Sequence, residues 1–160
     1  MSEREVENFK IAAKNRRAKF DYEIIETFES GIVLKGSEVK SIRDGHVSIN
    51  ESFIGPIEGY NELFLFNCDI PVLKQASYLN HEPKKPRKLL LHRTQINKLL
   101  GSIVKKGMTI VPLTMYFNHK GIIKLSIGLA RGKNVVDKRE TIKKRDWNIQ
   151  KSRILKNYNH

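Results

Sequence analysis

Apolar and polar residues alternate at short range along most of this chain, and the period lengthens in two places. From Asp21 to Gly36, the β-formers Tyr22, Ile24, Ile25, Thr27 and Phe28, followed by Ile32, Val33 and Leu34, predict two strands with a turn at Ser30-Gly31. Ser37 then stands at an N-cap position, and Val39 and Ile42, three apart, predict a short helix through Asp44. That helix faces Glu38, Lys40 and Arg43 outward and stops at Gly45. Val47 to Ile57 and Leu63 to Ile70 read as a hairpin joined by Glu58-Gly59-Tyr60-Asn61-Glu62. Residues 71–88 carry Pro71, Pro83 and Pro86 and few periodic apolar positions, which predicts a long exposed loop. Ile96, Leu99, Leu100 and Ile103 follow the i, i+3, i+4, i+7 rule of a helix from Arg93 to Lys106 that ends at Gly107. Met108 to Phe117 and Ile122 to Ala130 complete the pattern as a second hairpin across Asn118-His119-Lys120-Gly121.

About six strands in adjacent hairpins and two to three helices make a mainly β, α+β fold. A small antiparallel barrel of the oligonucleotide-binding (OB) kind fits it, and a split six-stranded sandwich is the competing architecture. Periodicity fades after Ala130. Were residues 137–157 helical, Trp147, Ile154, Leu155 and Tyr158 would form only a patchy stripe, with Lys and Arg on every side. Such a segment buries too little to offset its ordering entropy, so it is expected to be disordered when free and helical when bound. Asp137 and Glu140, at capping-box spacing, supply the helix start.

Charge sharpens this picture. The 160 residues hold 30 Lys+Arg and 17 Asp+Glu, a net charge of +13, of which +7 falls in the last 30 residues. Two further basic clusters lie at Lys14, Arg16, Arg17 and Lys19, and at Lys84, Lys85, Arg87, Lys88 and Arg93. A polyanion is the partner such a surface fits, because each neutralised phosphate releases condensed counterions. No apolar run is long enough to cross a membrane, and Glu3, Glu5 and Glu7 stand where a secretory signal would be apolar, so a cytoplasmic protein is expected.

Candidate chemistry is sparse. Cys68 lies in a predicted strand and reads as a small buried side chain. His46, His81, His92, His119 and His160 show no metal-ligand spacing, and Gly101 and Gly107 sit at a helix end rather than in a phosphate loop, so no metal or cofactor is predicted. Two alternatives stay open. His81 and His92 flank the basic loop and could serve as an acid-base pair of a ribonuclease. A general single-strand binder would instead need aromatic rings clustered on one strand face; Phe64 and Phe66 share a face but read as core.

Five stretches in order over about 125 residues carry a resemblance: Asn15-Arg16-Arg17-Ala18, Gly36-Ser37-Glu38-Val39-Lys40-Ser41, Pro86-Arg87-Lys88-Leu89-Leu90-Leu91, Leu129-Ala130-Arg131-Gly132-Lys133 and Asp137-Lys138-Arg139. From Asn15 onward the chain resembles the SsrA-binding protein (small protein B) family of bacterial trans-translation. The resemblance implies a non-enzymatic, monomeric protein in three parts: a variable extension over 1–14, an OB-like barrel over 15–130 and a basic tail over 131–160. It implies that the barrel binds the tRNA-like domain of transfer-messenger RNA, in the place of an anticodon arm. The tail would probe the decoding centre and empty messenger channel of a stalled 70S ribosome and fold there as a helix.

Carried onto this chain, the RNA-binding face comprises Asn15, Arg16, Arg17, Lys19, Gly36, Glu38, Lys40, Ser41, Arg43, Arg87 and Lys88. The ribosome-binding tail comprises Arg131, Lys133, Asp137, Lys138, Arg139, Lys143, Lys144, Arg145, Trp147 and Ile154. One departure stands out: Val135-Val136 precede Asp137, where many members carry a residue able to stack on a base. Glu38 is the member of the face that charge does not explain. Either it orients Lys40 or Arg43 or accepts a hydrogen bond from RNA, or it caps its own helix.

Overall fold

The computed structural model of the chain describes residues 9–73 and 80–133. Seven strands run in chain order as β1 (Lys10–Lys14), β2 (Tyr22–Ile32), β3 (Phe53–Pro56), β4 (Leu63–Phe66), β5 (Arg87–Leu90), β6 (Thr109–Phe117) and β7 (Ile123–Gly132). Three helices accompany them: α1 (Ala18–Asp21), α2 (Gly36–Arg43) and α3 (Arg93–Lys106). Every strand pairing is antiparallel.

The order β6-β3-β4-β5-β2-β7, with β7 pairing back onto β6, closes six strands into a ring, a topology compatible with the OB-like barrel. The seventh strand, β1, extends the sheet outside that ring. β6 pairs with β7 along its whole length, so β3 at Ile110 and β1 at Thr114–Phe117 share its other edge. Lys10–Lys14 falls in the residues expected as an extension; with two alanines and a bulge between Ile11 and Ala13, this strand carries almost no β-propensity to read.

Side chains pointing into the ring form the core. Phe28, Ile54, Leu65, Leu89, Met115, Leu125 and Ile127 are buried there, and Leu99 of α3 joins the same cluster. Ile96 is buried as well, Leu100 and Ile103 pack half-buried, and the helix ends at Gly107 in the left-handed conformation, φ 61°. A smaller cluster of Ala18, Val111 and Ala130 lies beneath α1.

Four sequence expectations are corrected. Ser30-Gly31 is not a turn: β2 runs straight through it, leaving β7 at Gly31 to pair with β5. A Cβ on Gly31 would sit 3.1 Å from Leu90 Cβ, so close strand approach is what favours glycine there. The 47–57 run is regular only over Phe53–Pro56, because a turn closes between Ile49 and Ser52. β4 stops at Asn67, whose φ of 59° breaks the strand, although Cys68 and Ile70 beyond it remain buried. Finally, Arg87 and Lys88 leave the expected loop to begin β5, pairing with Leu65 and Phe64.

Candidate nucleic-acid interface

Helix α2 begins with a carboxylate turned inward. Glu38 is 0% exposed, against the outward orientation expected for it. One of its oxygens accepts the Lys35 amide at 2.9 Å and the Lys85 ammonium at 3.3 Å, and the other pairs with Arg87 Nε. Arg87 is 1% exposed, and its guanidinium is fully used. Nη1 donates to the carbonyls of Cys68 (2.8 Å) and Lys85 (3.3 Å), and Nη2 to those of Glu82 (3.2 Å) and Pro83 (3.0 Å). Together with Nε, these contacts take up all five donors of the planar fork.

Burial alone would raise the Glu38 carboxyl, but the Lys35 amide, the Arg87 guanidinium and the Lys85 ammonium outweigh it and hold the group below the usual carboxylate range. The pair orients no residue of α2 directly. It fastens the start of the helix to the loop before β5.

The rest of the Gly36–Ser41 motif works the same way. Ser37 is not the N-cap, which is Lys35. Its hydroxyl meets His81 Nδ1 at 2.9 Å, while His81 Nε2 lies 2.7 Å from the carbonyl of Ile70. That carbonyl can only accept, so Nε2 carries the proton and donates, and in the neutral ring Ser37 donates to Nδ1. Ser41 is buried and donates to the carbonyl of Pro71 at 2.6 Å. Ser37, Glu38 and Ser41 thus face the loop, and Lys40 and Arg43 remain exposed on the opposite side.

Asn15 is similarly occupied. A bulge between Pro112 and Thr114 in β6 leaves two carbonyls for it: its amide donates to Leu113 at 2.8 Å and its Nδ2 to Pro112 at 3.0 Å. This fixes the corner between β1 and α1, from which Arg16, Arg17 and Lys19 project exposed. A groove of about 530 Å³ runs beside the corner, with Lys14 and Arg16 on one wall and Val47–Asn50, the segment following α2, on the other. Of the two basic motifs only the first reaches this groove, through Arg16; Lys40 and Arg43 are not among its lining residues.

Lys88 is exposed on β5 and lies 4.0 Å from Glu62, which Arg93 holds more closely at 2.9 Å. Arg131 pairs with Glu23 across the β2–β7 ladder at 3.0 Å, and the Lys133 amide donates to Asp21 at 3.2 Å, so the chain leaves the sheet beside α1. Asp137, Lys138, Arg139, Lys143, Lys144, Arg145, Trp147 and Ile154, with Val135-Val136 and the expected tail helix, lie outside the described residues.

A second groove, about 610 Å³, was not legible in the sequence; Glu29, Leu90, His92, Gln95 and Lys124 line it. Tyr116 supports Glu29 from within: burial first, and then Glu29, which accepts its hydrogen bond, push the phenol well above its ordinary value. His92 thus opens onto a groove, whereas His81 is 4% exposed with both ring nitrogens engaged elsewhere. The acid-base pair of a ribonuclease is not assembled. Cys68 is buried, and that burial pushes its thiol up to about 11, so it is not a nucleophile. Phe64 and Phe66 alternate with the buried Leu63 and Leu65 and lie outside the main core cluster, which corrects their reading as core. Phe66 stacks instead on Phe53, with ring centroids 5.2 Å apart.

Comparison with known proteins gives a consistent result. The family model described as SmpB protein matches residues 12–157. An SsrA-binding protein of Rhodopseudomonas palustris (strain BisB18) is 53% identical over 98% of both chains. One from Afipia carboxidovorans is 52% identical over the same shares. A solved structure titled "tmRNA-SmpB: a journey to the center of the bacterial ribosome" superposes with a TM-score of 0.63 at 48% identity, covering 81% of this chain and 92% of that one.

Proposed function

Because the chain belongs to the SmpB protein family, we propose that it binds the tRNA-like domain of transfer-messenger RNA and carries it to stalled ribosomes in trans-translation, catalysing no reaction itself. What carries this reading is that the kinship runs through barrel and tail alike, over residues 12–157. Its setting is the cytoplasm, where stalled ribosomes are. Among the described residues, no helix is long and apolar enough to cross a membrane.

The labour divides between a body and a tail. Residues 15–130 form the RNA-binding body that stands in for an anticodon arm, and Arg16, Arg17, Lys19, Lys40, Arg43 and Lys88 offer exposed cations to RNA phosphates. Asn15, Glu38, Ser41 and Arg87 work beneath that surface, holding α1 and α2 in place, and Gly36 opens α2 as an exposed residue with no neighbour against it. Residues 131–160 form the tail, which enters the empty messenger channel of the small subunit and folds there as a helix, using Arg131, Lys133, Asp137, Lys138, Arg139, Lys143, Lys144, Arg145, Trp147 and Ile154.

Sequencing the RNA that copurifies with the protein from cells tests the reading. One dominant species with a tRNA-like end is expected; a mixture of unrelated fragments would overturn it and favour a general single-strand binder.

A further inference from the structure

The corner at α1 buries its small side chain and exposes its large one. Ala18 packs against Val111 and Ala130, whereas Phe20, two positions on, is 73% exposed. Water is a poor environment for an aromatic ring, and a movable segment would turn it inward. This segment is held at three points: Asn15 on Pro112 and Leu113, Ala18 in its cluster, and the Asp21 carbonyl on the Lys133 amide. The ring therefore stands out from a fixed base.

Its chain neighbours are mostly cationic, although Asp21 follows it and pairs with Arg17 at 3.8 Å. Arg16, Arg17 and Lys19 are exposed in the preceding four positions, and Lys133, where the basic tail begins, is hydrogen-bonded to the residue after it. A fixed exposed ring with exposed cations close to it along the chain is the chemistry that grips unpaired nucleotides, with the cations on the backbone and the ring on a base face. The Asn15-Arg16-Arg17-Ala18 motif stops just short of it. We propose that Phe20 stacks on an unpaired base of an RNA partner, with Arg16 and Lys19 holding the flanking phosphates. This rests on the RNA-binding reading above and adds to it a contact that depends on the ring rather than on charge.

The test titrates the full-length chain with two probes, a transcript of the tRNA-like domain of transfer-messenger RNA and purified small ribosomal subunits, at several salt concentrations. Phe20→Ala is expected to weaken one of them about 5- to 150-fold. The probe affected identifies the RNA that supplies the base. Phe20→Trp restores binding and Phe20→Leu does not, because leucine keeps apolar area but offers no π-face. The salt dependence of Phe20→Ala stays that of wild type, since no phosphate contact is lost. Unfolding midpoints of all three variants match wild type, as the side chain is exposed.

Unchanged affinity of Phe20→Ala for both probes, or full rescue by leucine, overturns the proposal. So does a loss that disappears once residues 134–160 are removed, which would mean that the ring packs on the chain's own tail. Wild-type chain that binds neither probe would instead bring down the RNA-binding reading itself, a result distinct from these.

Discussion

A buried carboxylate is tolerable only when its charge is met, and Glu38 is met by three donors at once. Glu38→Gln removes the charge while leaving the Arg87 guanidinium buried. The expected loss is about 3–5 kcal/mol, read as a shift of the urea midpoint without a change of slope. Arg87→Lys is also not conservative, because three ammonium donors replace five in a fork; at least about 2 kcal/mol should go. The acid behaviour follows from the sign of the shift. The folded value of Glu38 lies below the unfolded one, about 4.3, so its contribution is complete above that value and is lost as pH falls through the folded value. Urea midpoints measured from pH 6 down to pH 2.5 should show this component in wild type and lack it in Glu38→Gln.

At the scale of the elements, legibility tracked whether the signal was local. Helix α3 was readable to its ends, because four apolar residues keep helical spacing and Gly107 supplies its left-handed cap. Glu38 was not: a charged residue on an amphipathic helix faces water by default, and its partner is 49 positions away. Glycine misled in β2, since the residue that permits a turn also permits close packing. Gly31→Ala should therefore behave as a crowding mutation against Leu90, costing about 1–3 kcal/mol in chemical unfolding. A turn site free of contacts would show almost no loss. Arg16, Arg17, Lys19, Arg87 and Lys88 stand in clusters readable from charge, Lys40 and Arg43 came in only with the family resemblance, and the distinction between exposed cations and those that serve as clasps was not legible. That distinction predicts two classes of variant. Lys40→Ala and Arg43→Ala should leave stability unchanged and each reduce the salt slope of RNA binding by about one, whereas Ser41→Ala should lower the urea midpoint and leave the slope intact.

Among the described residues six strands close into a ring with β1 added outside it, and the last 30 residues of the chain carry more than half of the excess charge. Fixed corners that present exposed cations suit a structured RNA, whose shape is recognised without a base code. Lys133, the last described residue, is held at the same corner, and the charged residues that follow it in sequence are the ones assigned above to the ribosome. Truncation after Lys133 separates the two most directly, with affinity for the tRNA-like transcript and peptide tagging on stalled ribosomes measured on the same preparation. Affinity within about threefold of wild type, an allowance of under about 0.7 kcal/mol, with tagging abolished, is the predicted result. Collapse of RNA affinity, or tagging that survives the truncation, would contradict it.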